Sequence, residues 1–107
     1  MKVLFDQGTP VPLRQSLPGH DVRTAFELGW STLLNGELLR VAEAAGFDAI
    51  VTTDKNIRHQ QNVAGTRLGV LVLPTTDWSR VRRNVAPVAD ALGRLRPGQV
   101  FEVIFEG

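Results

Sequence analysis

The chain of 107 residues contains no cysteine. That excludes disulfide bonds and thiolate–zinc chemistry, and it removes any tie to an oxidising compartment. An excess of one charge is also missing: 12 Lys and Arg face 11 Asp and Glu, a formal net charge of +1. A field that weak says little about partners. No apolar run approaches the ~20 residues that a membrane span requires. Met1 leads straight into Lys2-Val3-Leu4-Phe5, without the basic, apolar and small-residue order of a secretory signal. The expectation is a soluble cytoplasmic protein with no membrane partner. Neither a GxGxxG nor a Walker-type GK[ST] pattern occurs, and there is no GxSxG elbow or Ser-His-Asp order.

What is present has ordinary globular proportions, 43% hydrophobic and 21% charged, which suits a single domain over residues 1–107. The apolar patterning alternates in kind along the chain. Residues 2–5 form a short apolar run of strand type, broken by Gly8, Thr9 and Pro10. A short helix from about Pro10 to Leu17 follows, with proline in its first turn. Residues 20–24 predict an edge or half-exposed strand, because only Val22 is strongly apolar. The segment 24–34 predicts a brief helical turn and then a loop. Leu38, Leu39, Val41, Ala42 and Ala45 recur at helical spacing, with Asn35 as expected N-cap and Gly46 as terminator.

Residues 48–53 form a third strand, with one helical turn expected near 56–62. Residues 68–73 are a continuous run of buried parallel-strand type. Pro74 to Asp77 end it and cap a helix over about 78–95, which Pro87 should kink or split. A last strand over 100–105 alternates Phe101, Val103 and Phe105 with Glu102, implying one wetter face. Strands alternating with helices predict a mainly parallel sheet flanked by helices.

Two of these runs end in aspartate: Lys2-Val3-Leu4-Phe5-Asp6 and Asp48-Ala49-Ile50-Val51-Thr52-Thr53-Asp54. If both are parallel strands, two carboxylates share the sheet edge where α/β proteins bind ligands. Close carboxylates repel unless a cation or proton intervenes. Taken singly, Asp6 is explained as a turn former and Asp54 as a helix cap, but packing has no need of the pair. Glu37, in the first turn of the middle helix, is favoured there by the helix dipole alone. If that turn faces the same edge, it completes a three-carboxylate cluster selecting Mg²⁺ or Mn²⁺ over zinc. Such ions hydrolyse phosphodiesters by activating water and neutralising charge.

Most basic residues are arginine, clustered as Lys55 with Arg58 and as Arg80, Arg82 and Arg83. Their guanidinium forks suit phosphate, although a solvated helix face explains them as well. His20 and His59 lack metal-ligand spacing to one another, and Trp30 and Trp78 fit packing roles. A receiver-type phosphoacceptor at Asp54 would need an acidic pair after the first strand and a lysine after the last. The chain has Asp6 alone and ends in Ile104-Phe105-Glu106-Gly107.

Four segments, Lys2 to Gln7, Pro18 to Val22, Asn35 to Leu39 and Val51 to Asn56, together resemble, in order and spacing, a small PIN-like family. That family consists of predicted nucleases of bacterial toxin–antitoxin type, catalogued as a domain of unknown function. The resemblance covers nearly the whole chain. It implies a three-layer α/β/α fold with a mainly parallel central sheet and a carboxylate site for Mg²⁺ or Mn²⁺. It further implies RNA as substrate and a small antitoxin protein as partner. Asp6, Glu37 and Asp54 match the family's acidic positions and would be both metal ligands and catalytic residues. Lys55, Asn56 and Arg58 would contact the nucleic acid. Asn35 and Asn56 stand where acidic residues are common; asparagine ligates through its carbonyl but supplies no charge. A non-catalytic PIN-like module with a partly decayed site, binding a protein or RNA, is therefore the alternative, and a homodimer stays open.

Overall fold

The computed structural model describes residues 1–57 and 63–105. Its strands are β1 (Lys2–Phe5), β2 (Asp21–Thr24), β3 (Ala49–Thr52), β4 (Gly69–Val72) and β5 (Val100–Glu102). Helices α1 (Asn35–Ala44), α2 (Trp78–Arg82) and α3 (Val85–Arg94) accompany 3-10 turns at Val11–Ser16 and Val63–Gly65. The strands form one five-stranded sheet in the order β2-β1-β3-β4-β5, and every neighbouring pair is parallel. The mixed α/β class expected from the alternation is the class observed.

Burial follows position in the sheet. Central β3 and β4 are buried at all four positions, as parallel strands covered on both faces must be. Edge strand β2 alternates exposed and buried, with Val22 and Thr24 inward, in line with its sparse apolar content. The period-2 alternation of side chains divides the core in two. Val3, Phe5, Val51 and Leu71 pack with Leu13, Val81, Val88 and Leu92. Leu4, Ile50, Val70 and Val72 pack with Leu38, Leu39 and Ala42 of α1. Among the described residues no helix is long and apolar enough to cross a membrane.

Several boundaries differ from the sequence pattern for identifiable reasons. The short helix expected over about 10–17 is present as a 3-10 helix, Val11–Ser16. Asn35 is the first helical residue of α1 and not its cap; the cap position falls on Leu34, without a side-chain hydrogen bond. The long helix divides at Arg83 and Asn84, and Asp77 caps its first half by accepting from the Ser79 N–H. Pro87 then lies in the first turn of α3, where its missing N–H has no intrahelical acceptor to lose. The Asn84 amide donates to the Arg80 carbonyl across the break (2.8 Å).

The last strand stops at Glu102, which pairs with Val72 at the end of β4; beyond it the ladder has no further strand to follow. On this edge strand Phe101 is 44% exposed, while Val103 beyond it is buried. The expected turn near 56–62, with Arg58 and His59, lies largely outside the described residues.

The C-terminus of α1 shows how local chemistry delivers the chain into β3. Gly46 adopts φ +85°, its N–H donates to Glu43 (3.1 Å), and the Phe47 N–H donates to Ala42 (3.0 Å). These are the two bonds of a Schellman ending. Phe47 is buried beside α1, edge-on to Trp30 at 6.0 Å. Nothing lies within 4 Å of a Cβ placed on Gly46, so a substitution there meets only backbone strain. Gly46→Ala is expected to lower the unfolding free energy by about 1–2 kcal/mol, read from urea denaturation midpoints at unchanged slope.

Candidate functional site

β1 has β2 on one side and β3 on the other, so the chain leaves it in one direction and returns across it in the other. In open parallel sheets the crevice at such a reversal, at the carboxyl ends of the strands, is where ligands bind. Phe5 pairs with Val51 across the two strands. The next residue on β1 is Asp6, whose N–H donates to the Val51 carbonyl (3.1 Å); Thr52 and Asp54 follow on β3.

Asp6 is held by the loop it opens. One carboxylate oxygen accepts from the Gly8 N–H (3.2 Å) and the Thr9 hydroxyl (3.0 Å). That hydroxyl also lies 2.8 Å from the Val51 carbonyl, and its single proton is shared between the two acceptors. The other Asp6 oxygen accepts from the Thr52 hydroxyl. Thr52 is fully buried, and its oxygen in turn accepts from the Asp54 N–H (3.1 Å). One hydroxyl therefore links both aspartates.

Asp54 accepts from the Asn56 N–H (2.9 Å) and from the Asn35 side-chain amide. A carboxylate can only accept, so the Asn35 NH₂ group must face it. A Cβ at Gly8 would lie 2.5 Å from the Thr53 hydroxyl, so a larger residue there would make the Thr53 side chain shift.

Burial pushes the Asp6 carboxyl above the ordinary aspartate value, and the nearby Asp54 charge adds to the rise. The hydrogen bonds from Thr52, Thr9 and Gly8 oppose it without cancelling it. Among the described residues the ion pairs are Arg14–Glu27, Arg23–Asp21 and Arg94–Asp90. None of them neutralises Asp6 or Asp54. Both side chains are oxygen donors, the kind that hard divalent cations take in preference to zinc.

The structure thus brings Asp6 and Asp54 together at one edge. Glu37 is exposed in the first turn of α1. Among the described residues it forms no hydrogen bond or ion pair with either aspartate. No group of three or more His, Asp or Glu side chains there is gathered so as to hold a metal ion. The α1 side chain that reaches Asp54 is Asn35. Lys55 and Asn56 are exposed just beyond Asp54, and Arg58 lies outside the described residues.

Thr52 and Thr9 carry roles that sequence reasoning missed. Threonine in a strand reads as a β-former, and only the Asp-x-x-Thr spacing from Asp6 to Thr9 hints at a local side-chain turn. His20 sits by its turn, its ring nitrogen 3.3 Å from the Met1 amino group. Compared with family models, with curated proteins and with solved structures, the chain gives no significant match.

The raised pKa sets a sign for stability. In chelator, folding disfavours the charged form of Asp6, so its contribution is lost as pH rises from about 3.8 through the raised value. Asp6→Asn, which cannot ionise, should therefore be more stable than wild type at pH 7. That advantage should shrink on acidification and vanish below pH 3.8. Thermal melts of both proteins across this range provide the check; an advantage that grows on acidification would reverse the assignment.

Proposed function

We propose that this chain is a metal-dependent endoribonuclease of PIN type, cytoplasmic, and the toxin component of a toxin–antitoxin pair. The observation that carries the reading is the pair of aspartates at the carboxyl ends of adjacent parallel strands. They meet at the reversal point of the sheet, share one buried hydroxyl, and have no cationic side chain paired with them among the described residues. The resemblance of the four sequence segments supplies the class of chemistry.

Asp6 and Asp54 would hold Mg²⁺ or Mn²⁺. When bound, such an ion activates water and offsets charge on the attacking and leaving oxygens of a phosphodiester. The protein's own groups do the rest. Thr52 and Thr9 fix the Asp6 carboxylate, and Thr52 sets its spacing to Asp54 through the Asp54 N–H. Burial of Asp6 strengthens its attraction for a cation relative to a carboxylate in water. Glu37 would serve as a further ligand or as base for the attacking water, and Lys55, Asn56 and Arg58 would hold the phosphate backbone.

A second reading has a specific observation behind it. Asn35 directs its amide at Asp54, adding a neutral donor at a position where a third carboxylate would add charge. A PIN-like module that binds RNA or a small partner protein without cutting is consistent with that substitution.

Mn²⁺ titrated against thermal stability separates a cation site from none, because a ligand that binds only the folded state raises it, by about 2.7 kcal/mol at 100 times Kd. The expected result is a concentration-dependent rise in Tm for wild type and none for the Asp6→Asn, Asp54→Asn double variant. Equal shifts in both proteins, or no shift in wild type, would rule the site out. Cleavage of single-stranded RNA with Mn²⁺, abolished by Asp54→Ala, distinguishes the nuclease from the binding module. Thr52→Val keeps the shape of the buried side chain but removes the shared hydroxyl. It should weaken Mn²⁺ binding about 10–100-fold, read from the same titration.

A further inference from the structure

Asp6 faces two neighbourhoods. Besides the aspartate pair, it lines a pocket of about 340 Å³ on the β2 side of the same edge, together with Gln7, Arg14, Phe26 and Glu27. Volumes of this order hold small ligands. Phe26 is 78% exposed, yet the turn that carries it is tightly built. The Glu27 carboxylate accepts from the Thr24 N–H (2.9 Å), and the Glu27 N–H donates to the Thr24 hydroxyl (3.1 Å). Arg14 clamps the same carboxylate with two bonds, the shorter 2.6 Å. Ala25, next to Phe26, is buried. A ring presented to solvent by a locked turn needs little reorganisation to receive a flat partner. The Gln7 side chain is exposed, and its amide offers a donor and an acceptor side by side. Among the described residues it makes no hydrogen bond.

We infer that this pocket is a nucleobase subsite, in which Phe26 stacks on one base of a single-stranded RNA and the Gln7 amide bonds its edge. The inference rests on the proposed cation–phosphate site at Asp6 and Asp54. Asp6 forms a wall common to both, so the occupant of the pocket lies beside the phosphate that the cation would hold. The chemistry of the walls selects among occupants. An aliphatic side chain from a protein partner would cover the ring and Val11 but would strip water from the Gln7 amide without replacing its hydrogen bonds. A base satisfies the ring with its π face and the polar wall with its edge, and stacking tolerates any base.

The test uses the full chain and a fluorescein-labelled single-stranded RNA decamer in Ca²⁺, with binding read by anisotropy. Phe26→Leu preserves apolar bulk and removes the π face, whereas Phe26→Tyr preserves the π face. Circular dichroism verifies that the variants fold, which the exposure of Phe26 favours. The expected result is that Phe26→Leu and Phe26→Ala each weaken binding about tenfold, that Phe26→Tyr stays within about twofold of wild type, and that Gln7→Ala weakens it as well. Equal affinity of wild type and Phe26→Leu, or no binding by wild type, would overturn the inference; the first outcome would instead mark an apolar contact for a protein. Cleavage in Mn²⁺ is scored separately. Phe26-dependent binding without cleavage keeps the subsite and removes the nuclease reading, while cleavage with binding indifferent to Phe26 does the reverse.

Discussion

Parallel strands covered on both faces leave charged side chains one place to go, the strand ends, and β1 and β3 both lead into aspartate on the same edge. Val3, Leu4 and Phe5 are fully buried, as are the four residues of β3, so the first polar side chain after β1 emerges where the sheet stops. Because β1 and β3 are neighbours in register, Asp6 comes out beside Thr52 and near Asp54. The remaining features of the site follow from that placement: the shared Thr52 hydroxyl, the close approach of Gly8 to the Thr53 side chain, and the contact from Asn35 at the start of α1.

The arrangement runs against stability. Burial and the neighbouring Asp54 both disfavour the charged form of Asp6, and the neutral donors around it reduce that penalty without removing it. Packing alone would be served as well by an uncharged residue. Functional sites are where local consistency is commonly given up, and this is where the chain gives it up most visibly. Elsewhere it is locally consistent: Asp77 caps α2, Gly46 ends α1, and Pro87 falls in the one turn of α3 that tolerates it.

Much of this could be read from the residues. All five strands were expected from the sequence, four from apolar runs, and the weak apolar content of 20–24 marked β2 as an edge. Asp6 and Asp54 stood out because each follows an apolar run. Other features were hidden. Asn35 looked like an N-cap because asparagine before a helical pattern usually is one; its amide is used instead by Asp54, which lies 19 residues further along the chain. Thr52 looked like a strand former, since nothing local reveals that its hydroxyl meets a carboxylate 46 residues away. The exposure of Phe26 was hidden too, because the apolar residues of 24–34 follow no clear period.

By itself, then, the sequence determined which segments become strands and that two of them lead into a carboxylate. Those properties arise from apolar periodicity and turn chemistry within a few residues. Only the tertiary structure decided that β1 and β3 are neighbours and that Thr52 joins their aspartates. It likewise decided that Asn35, rather than Glu37, touches Asp54, and that Phe26 opens onto the pocket beside Asp6. Strand order in a parallel sheet is set by how crossover connections pack on its faces, and a short local pattern carries no record of that.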